Sequence, residues 1–532
     1  MSGTNTPQAA AMAPLPQTLI DWLRVFGPGA VIASMTIGTG ELIFSTRGGA
    51  IFGYRILPLF VIISLLKWGL MVTTARHFVL TGVHPYSRMQ HFPGPKGWLP
   101  TIFMAVSLVT MPIWISFLCG TTGNLISHIT STVGMFHGGI DYVWGAVVMI
   151  SILLISATSG YRTLERVQLV IVGIMIAIAF VTLILYKPNW LELLQGALIP
   201  QRLEYPDWIA KWRTMKEPPV EQGLRDIWEI ARTSVWVETT RYVGVIGGGA
   251  VDYLAYTSFL REKRWGRTAC GPLSESELQS IAADPEHPVR KWIRAPYLDC
   301  SISFLVLVAF SAVFVASGAL VLGPEQQIPT ESNMLDLQSR FVTEVHPWLG
   351  PLYYLGALLT LFGTAYGSFE ITCAIVDEIL RSFNPPFMNR NAKRVRRAVI
   401  AWAALLAMTI LALLFFYQYG GSQARPKLLL KELLTPANLF AGVFACGIVC
   451  FTTIWMDQRF LPKTLRSPVG LRVLNGISGV VFLGLGIKGY LDRDNPWLAI
   501  SSLFGLAMIG FAVSFALNKW SASANASPRV ID

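Results

Sequence analysis

The sequence carries little charge and few metal-binding side chains for its length. Of its 532 residues, 14% are charged and 53% are apolar, whereas an average soluble domain has about 25% charged residues. This composition excludes a disordered chain, a collagen-like repeat, a coiled coil and a disulfide-stapled scaffold. The closest cysteines, Cys446 and Cys450, lie four residues apart in an apolar run, and no H-E-x-x-H pattern is present. The sequence therefore gives no sign of a zinc site.

Long apolar segments take the place of these features. A helix needs about 20 apolar residues to cross the hydrocarbon core of a bilayer. Twelve segments qualify: 28–46, 55–75, 99–120, 142–159, 166–186, 237–259, 297–322, 351–376, 397–417, 436–456, 470–490 and 496–517. The sequence therefore predicts an all-α polytopic membrane protein with about 12 transmembrane helices.

The basic residues predict the orientation of these spans. The net charge of +11 comes largely from loops, including seven Lys and Arg residues over 260–296 and six over 377–397. Since cytoplasmic loops carry the excess of Lys and Arg, both termini are predicted to be cytoplasmic, and nucleic acid is not a predicted partner. Residues 1–17 are small and polar, which predicts a flexible tail rather than a cleavable signal peptide.

Two spans are interrupted by glycines that precede an acid. The first breaks at Gly38-Thr39-Gly40-Glu41, and the sixth breaks at Gly247-Gly248-Gly249, with Asp252 close behind. Unwound backbone at this depth survives where it lines a cavity, and it exposes carbonyls and helix ends to a ligand. Close helix packing is the alternative explanation for the glycines, but it leaves both acids unexplained.

The interrupted spans divide the chain into two halves of five. Because each half has an odd number of spans, the second half inserts inverted relative to the first, as in inverted-repeat transporters. The predicted segments are a tail over 1–26, a first repeat over 27–186, an extracellular segment over 187–236, a second repeat over 237–456, two further spans over 457–517 and a tail over 518–532. The extracellular segment is either a folded or interfacial subdomain or a flexible loop.

Three other ionisable residues within predicted spans are candidates for a functional role. Glu370 is an acid in the eighth span, and Lys67 and Arg241 are candidate counter-ions for the buried acids. Intramembrane charges are costly and mark functional positions by default. Structural ion pairs are the alternative interpretation.

Several motifs resemble, in order, those of the Nramp (natural resistance-associated macrophage protein) family of divalent-metal transporters. The similarity runs over about residues 27–460 and is carried by Gly27-Pro28-Gly29, Gly48-Gly49-Ala50, Phe52-Gly53-Tyr54, Gly160 to Glu165, Arg290 to Asp299 and Val376-Asp377-Glu378. This resemblance implies the LeuT-type 5+5 inverted-repeat fold, with discontinuous helices 1 and 6. It also implies a divalent metal ion as the transported substrate rather than as a cofactor.

The metal-binding motifs of that family are altered in this chain. Gly38 and Glu41 stand where the family has Asp and Asn, and Gly249 to Asp252 replace its Met-Pro-His-Asn. Thr121 and Asn124 stand in place of third-span acids linked to proton movement, and Arg396-Arg397 match a basic pair. Without Met and His, the candidate ligands Gly38, Glu41, Gly249 and Asp252 favour hard ions such as Mn²⁺ or Mg²⁺.

Two functions of different kinds therefore remain. One is a secondary transporter of a divalent cation in the plasma membrane, either coupled to protons or uncoupled, which needs the bilayer and no obligate protein partner. The other is an H⁺- or Na⁺-coupled symporter of a small organic solute such as an amino acid or carboxylate. For that symporter, hydroxyls could help coordinate Na⁺, unless they bond to their own helices; these are Thr36, Thr39, Thr364 and Ser368. A membrane enzyme is not indicated, since no nucleophile elbow, phosphate loop or dinucleotide fingerprint is visible.

Overall fold

The structure is a computed structural model, and the regular secondary structure in the part of the chain that it describes is all helical. The described residues are 12–38, 40–158, 161–219, 222–329, 337, 350–420, 439–492 and 496–526. The helices of the first half are α1 (Pro28–Thr36), α2 (Thr46–Phe52), α3 (Leu57–Thr81), α4 (Trp98–Ile129), α5 (Ile140–Thr158) and α6 (Tyr161–Tyr186). Those of the second half are α7 (Val235–Val245), α8 (Ala250–Lys263), α9 (Arg294–Ser317), α10 (Gly350–Phe383), α11 (Pro385–Tyr419) and α12 (Ala445–Phe460). The last two are α13 (Val469–Leu491) and α14 (Pro496–Ala526).

Short helical turns connect or extend these helices. The short α-helices are Leu19–Leu23, Pro85–Met89, Trp190–Leu198, Asp207–Ala210, Gln222–Arg232, Glu275–Ala283 and Pro288–Lys291. The 3₁₀ turns are Gly53–Ile56, Met135–Gly138, Lys211–Thr214 and Lys463–Leu465. The π-helical turns are Gly40–Ser45, Gly318–Leu322 and Phe440–Phe444.

The predicted spans fall on helices wherever the structure describes them. Eight continuous helical stretches among the described residues are long and apolar enough to cross a membrane, and the helix from Ile140 is a shorter apolar one. The first and sixth predicted spans are interrupted as expected: α1 ends at Thr36 and α2 begins at Thr46, while α7 ends at Val245 and α8 begins at Ala250. The repeat boundaries predicted from the sequence stay predictions.

The interrupted helices lie at the centre of the bundle. Helix α1 packs against α6, α8, α9 and α10, and α8 also packs against α3 and α10. Helix α4 packs against α5, α10, α11 and α14. The centre is therefore enclosed by helices on several sides, and a polar group there is shielded from lipid.

A buried carboxylate holds the start of α1. Asp299 accepts hydrogen bonds from the backbone N–H groups of Gly27, at 3.1 Å, and Gly29, at 2.8 Å, and from the hydroxyl of Tyr256, at 2.8 Å. The first N–H groups of a helix have no intrahelical partner, so an acid there satisfies them and complements the helix dipole. Asp299 thereby ties α1 to α9 and α8.

The described part of the segment 187–236 is folded against the bundle. Its helices contribute Leu193, Ile209 and Ile230 to a buried cluster with Ile51 and Phe52 beyond the first break. This packing is that of a folded segment, and its extracellular side stays a prediction.

Candidate functional site

Glu41 joins the two interrupted helices. It lies in the π-helical turn that follows the first break, and its side chain is fully buried. One carboxylate oxygen accepts a hydrogen bond from the N–H of Gly247 at 3.0 Å, and the other accepts one from the N–H of Gly38 at 3.3 Å. The structure thus brings together three of the predicted site residues around one carboxylate.

The ammonium of Lys67 lies at the C-terminal end of α7. Helix α7 ends at Val245, which leaves the last carbonyls of that helix without helical partners. Lys67 Nζ donates to the carbonyls of Val243 at 3.0 Å, Ile246 at 2.7 Å and Gly248 at 2.6 Å. A lysine ammonium has three donors, so this contact set uses all of them. The charge also lies at the negative end of a helix dipole, where a cation is favoured.

The glycines at the second break are required by backbone geometry. Gly247 and Gly248 have φ values of +80° and +76°, in the left-handed region that favours glycine. A Cβ at Gly248 would stand 2.5 Å from a methyl carbon of Thr36, at the end of α1. The hydroxyl of Tyr253 donates to the carbonyl of Gly247. The turn therefore also sets how closely the two breaks approach each other.

Asp252 caps α8 from the first turn of that helix. Its Oδ2 accepts a hydrogen bond from the N–H of Gly249 at 2.7 Å, and the side chain is half-buried. An acid in the first turn stabilises a helix N-terminus. Since an ionised carboxylate has about four acceptor positions, Asp252 keeps acceptor capacity beyond this one bond.

The other charged candidates have partners away from the breaks. Glu370 pairs with Arg396 through two hydrogen bonds of 2.6 and 2.8 Å, and it also accepts one from Ser156. Arg241 pairs with Glu238 at 3.2 Å. The structure places neither Glu370 nor Arg241 against the two acids at the breaks, whereas Lys67 lies close enough for its charge to act on both.

Hydroxyls near the breaks bond to their own helices. Thr36 donates to the carbonyl of Ile32 at 2.9 Å, and Thr364 donates to that of Thr360 at 3.0 Å. Ser368 donates to Thr364 in the same way at 2.8 Å. These contacts favour the structural alternative over Na⁺ coordination; Thr39 lies outside the described residues.

Sequence reasoning missed three residues. Glu238 and Asp299 are acids inside predicted spans, which is the signal that could have found them. Cys446 lies near enough to Lys67 and Asp252 for electrostatic interaction, and its thiol donates to the carbonyl of Gly442 at 3.3 Å. Nothing in the local sequence of Cys446 distinguishes it from the other cysteines in apolar runs.

The breaks offer oxygen ligands rather than a preformed cluster of metal-binding side chains. Within the described ranges, no group of three or more His, Cys, Asp or Glu residues could hold a metal ion. The available donors are the carboxylates of Glu41 and Asp252 and those carbonyls of the unwound turns that do not accept hydrogen bonds from Lys67 or Tyr253. Such a set suits a hard cation that keeps part of its water shell.

Comparison with known proteins agrees with the resemblance found in the sequence. Residues 29–211 match the family model described as natural resistance-associated macrophage protein-like. A divalent metal cation transporter MntH of Agrobacterium fabrum is 20% identical over 477 residues, which cover 88% of this chain and 87% of that protein. One of Lacticaseibacillus casei is 28% identical over 174 residues, which cover 32% of this chain and 36% of that protein. The chain is thus similar to the Nramp family over residues 29–211 and to one divalent metal cation transporter over most of its length.

The fold likeness extends further along the chain than the match to the Nramp family model. A crystal structure of a manganese transporter of Eremococcus coleocola superposes with a TM-score of 0.64 at 13% identity, and covers 97% of this chain and 98% of that one. This likeness confirms the LeuT-type fold with two discontinuous helices. Against the Nramp pattern, the changed positions Gly38, Glu41 and Asp252 all lie at the breaks described above.

Proposed function

We propose that this chain is a secondary transporter of a divalent metal cation. The similar proteins are named as transporters of divalent metal cations, and the fold places two broken helices face to face at the centre of the bundle. The observation that carries the proposal is Glu41, a fully buried carboxylate that contacts both breaks. A carboxylate at such a position attracts a cation and marks a transport pathway.

Hard ions such as Mn²⁺ or Mg²⁺ are the favoured substrates. The two breaks present carboxylate and carbonyl oxygens, which suit hard cations, and lack the Met and His side chains that favour softer metals. Coupling to protons is part of the proposal and is tested by the response of uptake to a proton gradient.

Two contacts weigh against the symporter of an organic carboxylate. The N–H groups of Gly38 and Gly247, which would bind a substrate carboxylate, donate to Glu41. The carbonyls beyond α7, which would bind Na⁺, accept from Lys67. Both places that such a symporter needs are thus occupied by the chain's own side chains.

The test is uptake of Mn²⁺ and Mg²⁺ into proteoliposomes, with and without an inward proton gradient. Asp252→Asn is the informative variant, because an asparagine oxygen keeps the cap on Gly249 while the charge is lost. Glu41→Gln removes the other charge, and Glu204→Gln, an exposed carboxylate on the segment 187–236, is the matched control. Saturable uptake should be lost in the first two variants and kept in the control.

Absence of uptake for both ions, from folded and inserted wild-type protein, would overturn the cation proposal. Wild-type uptake that survives in both site variants would move the binding site away from the breaks.

We further propose that the protein acts in the plasma membrane with both termini cytoplasmic. Labelling of single cysteines introduced at the two ends, in intact and in permeabilised cells, tests this orientation.

A further inference from the structure

The three carbonyls around Lys67 form a small oxygen cage inside the membrane. They belong to Val243 and Ile246, at the end of α7, and to Gly248, in the left-handed turn. Each points at the same nitrogen from 2.6 to 3.0 Å. Carbonyl oxygens arranged around one point can replace the hydration shell of a monovalent cation.

The position of Lys67 explains why a charged side chain is tolerated there. Lys67 lies near the middle of α3 and is fully buried. A charge in the middle of a span is costly unless it is paired. Its three donors are all used, the C-terminal end of α7 supplies negative potential, and Glu41 and Asp252 are close enough to interact.

We propose that this cage is a monovalent cation site whose permanent occupant is the ammonium of Lys67. Unwound carbonyls and half-helix ends of this kind coordinate free monovalent ions in transporters with broken helices. Here a covalently attached cation occupies them, so the break keeps its shape without an ion from solution. The transport cycle consequently needs no Na⁺ or K⁺ as co-ion, a consequence that rests on the proposed transport function; the cage itself does not.

Removal of the side chain tests the cage. Lys67→Ala takes away the ammonium and the three methylenes beyond Cβ, and leaves the three carbonyls around an open space. Lys67→Met removes the charge but fills the space with an apolar chain of similar length. Lys488→Ala, an exposed lysine over the ring of Trp236, is the matched control for loss of a lysine.

The measurement is the thermal unfolding midpoint of purified protein, followed by tryptophan fluorescence. It is compared in chloride salts of N-methylglucamine, sodium, potassium, ammonium and methylammonium at equal ionic strength. A cation that binds only the folded state raises stability with the logarithm of its concentration once the site is filled. We expect Lys67→Ala to melt below wild type in N-methylglucamine and to recover in at least one small cation. Wild type, Lys67→Met and Lys488→Ala should not respond.

Several results would overturn the proposal. One is a folded Lys67→Ala protein whose unfolding midpoint is the same in every salt. Another is a Lys67→Ala protein that cannot be purified in folded form in any of the salts. A Lys67→Met protein as stable as wild type would show that the cage needs no cation. These stability measurements do not depend on transport. If a small cation restores the stability of Lys67→Ala but wild-type protein takes up no metal, the proposed function is refuted and the proposed cage is not. Metal uptake that depends on external Na⁺ or K⁺ would refute the absence of a co-ion.

Discussion

The buried network around Glu238 allows a quantitative prediction. This carboxylate is 0% exposed and accepts hydrogen bonds from Arg47 at 2.6 and 2.9 Å, from Arg241 at 3.2 Å and from the hydroxyl of Tyr242 at 2.8 Å. Arg47 belongs to α2, beyond the first break, whereas Glu238 belongs to α7, before the second. The network therefore joins the two interrupted helices a second time, away from Glu41.

Glu238→Gln should lower the free energy of unfolding by about 3–5 kcal/mol, because it strands a buried arginine. The side chain of Arg47 is 11% exposed, so water does not replace the carboxylate that is lost. That of Arg241 is 41% exposed, so its pairing contributes at most about 1 kcal/mol. Replacing both members, as Arg47→Met with Glu238→Met, removes both charges and should return stability toward wild type, since an apolar pair is often as stable as a buried ion pair.

Reversible unfolding in mixed micelles, titrated with a denaturing detergent, measures these differences. Comparing the two single methionine variants with the double variant gives the coupling energy directly. A loss below about 1 kcal/mol in Glu238→Gln, the size typical of an exposed pair, would refute the reasoning. So would a double variant that is less stable than both single variants.

Three further predictions concern other parts of the structure. Gly248→Ala should lower the free energy of unfolding by about 1–3 kcal/mol, because the backbone φ at this position is +76°. The control is Gly484→Ala on α13, where an added Cβ meets nothing within 4 Å, and it should not lower the free energy of unfolding in the same assay. Glu370→Gln should reduce thermal stability by breaking the pair with Arg396 but keep Mn²⁺ uptake, and loss of uptake in folded protein would place Glu370 in the transport pathway. Burial holds the pKa of His84 well below its usual range; the unfolded chain then binds more protons, so stability should fall as pH decreases below about 6.5. Unfolding midpoints across that range should show a flatter slope in His84→Gln, and an equal slope would assign the effect to other groups.

Local features were enough to predict the spans and their breaks. Apolar length marks each span, and the glycine triplet at Gly247 marks a turn that other residues rarely adopt. The tie between Asp299 and Gly27 lay beyond such reasoning, because it joins residues 272 positions apart in the chain. Sequence periodicity carries no information about contacts at that range.

The partners of the charged residues were the least predictable part of the site. The sequence offered acids as partners for Lys67, but its donors reach carbonyls, which every residue has and which a sequence therefore cannot single out. The sequence suggests Lys67 and Arg241 as counter-ions for acids such as Glu370, but Glu370 pairs with Arg396 on the neighbouring helix α11. That choice depends on how two long helices face each other.

The hydrogen bonds of Asp299 and Glu238 suggest how single conformers could be prepared for structural work. Asp299 holds the start of α1, and Glu238 holds α2 at the opposite end of the same interrupted span. Alternating access requires one end of such an element to open while the other stays closed. We therefore expect Asp299→Asn and Glu238→Gln to bias the protein toward opening at opposite faces. Electron cryo-microscopy of the two variants should reveal the two open forms separately, without an added inhibitor or antibody.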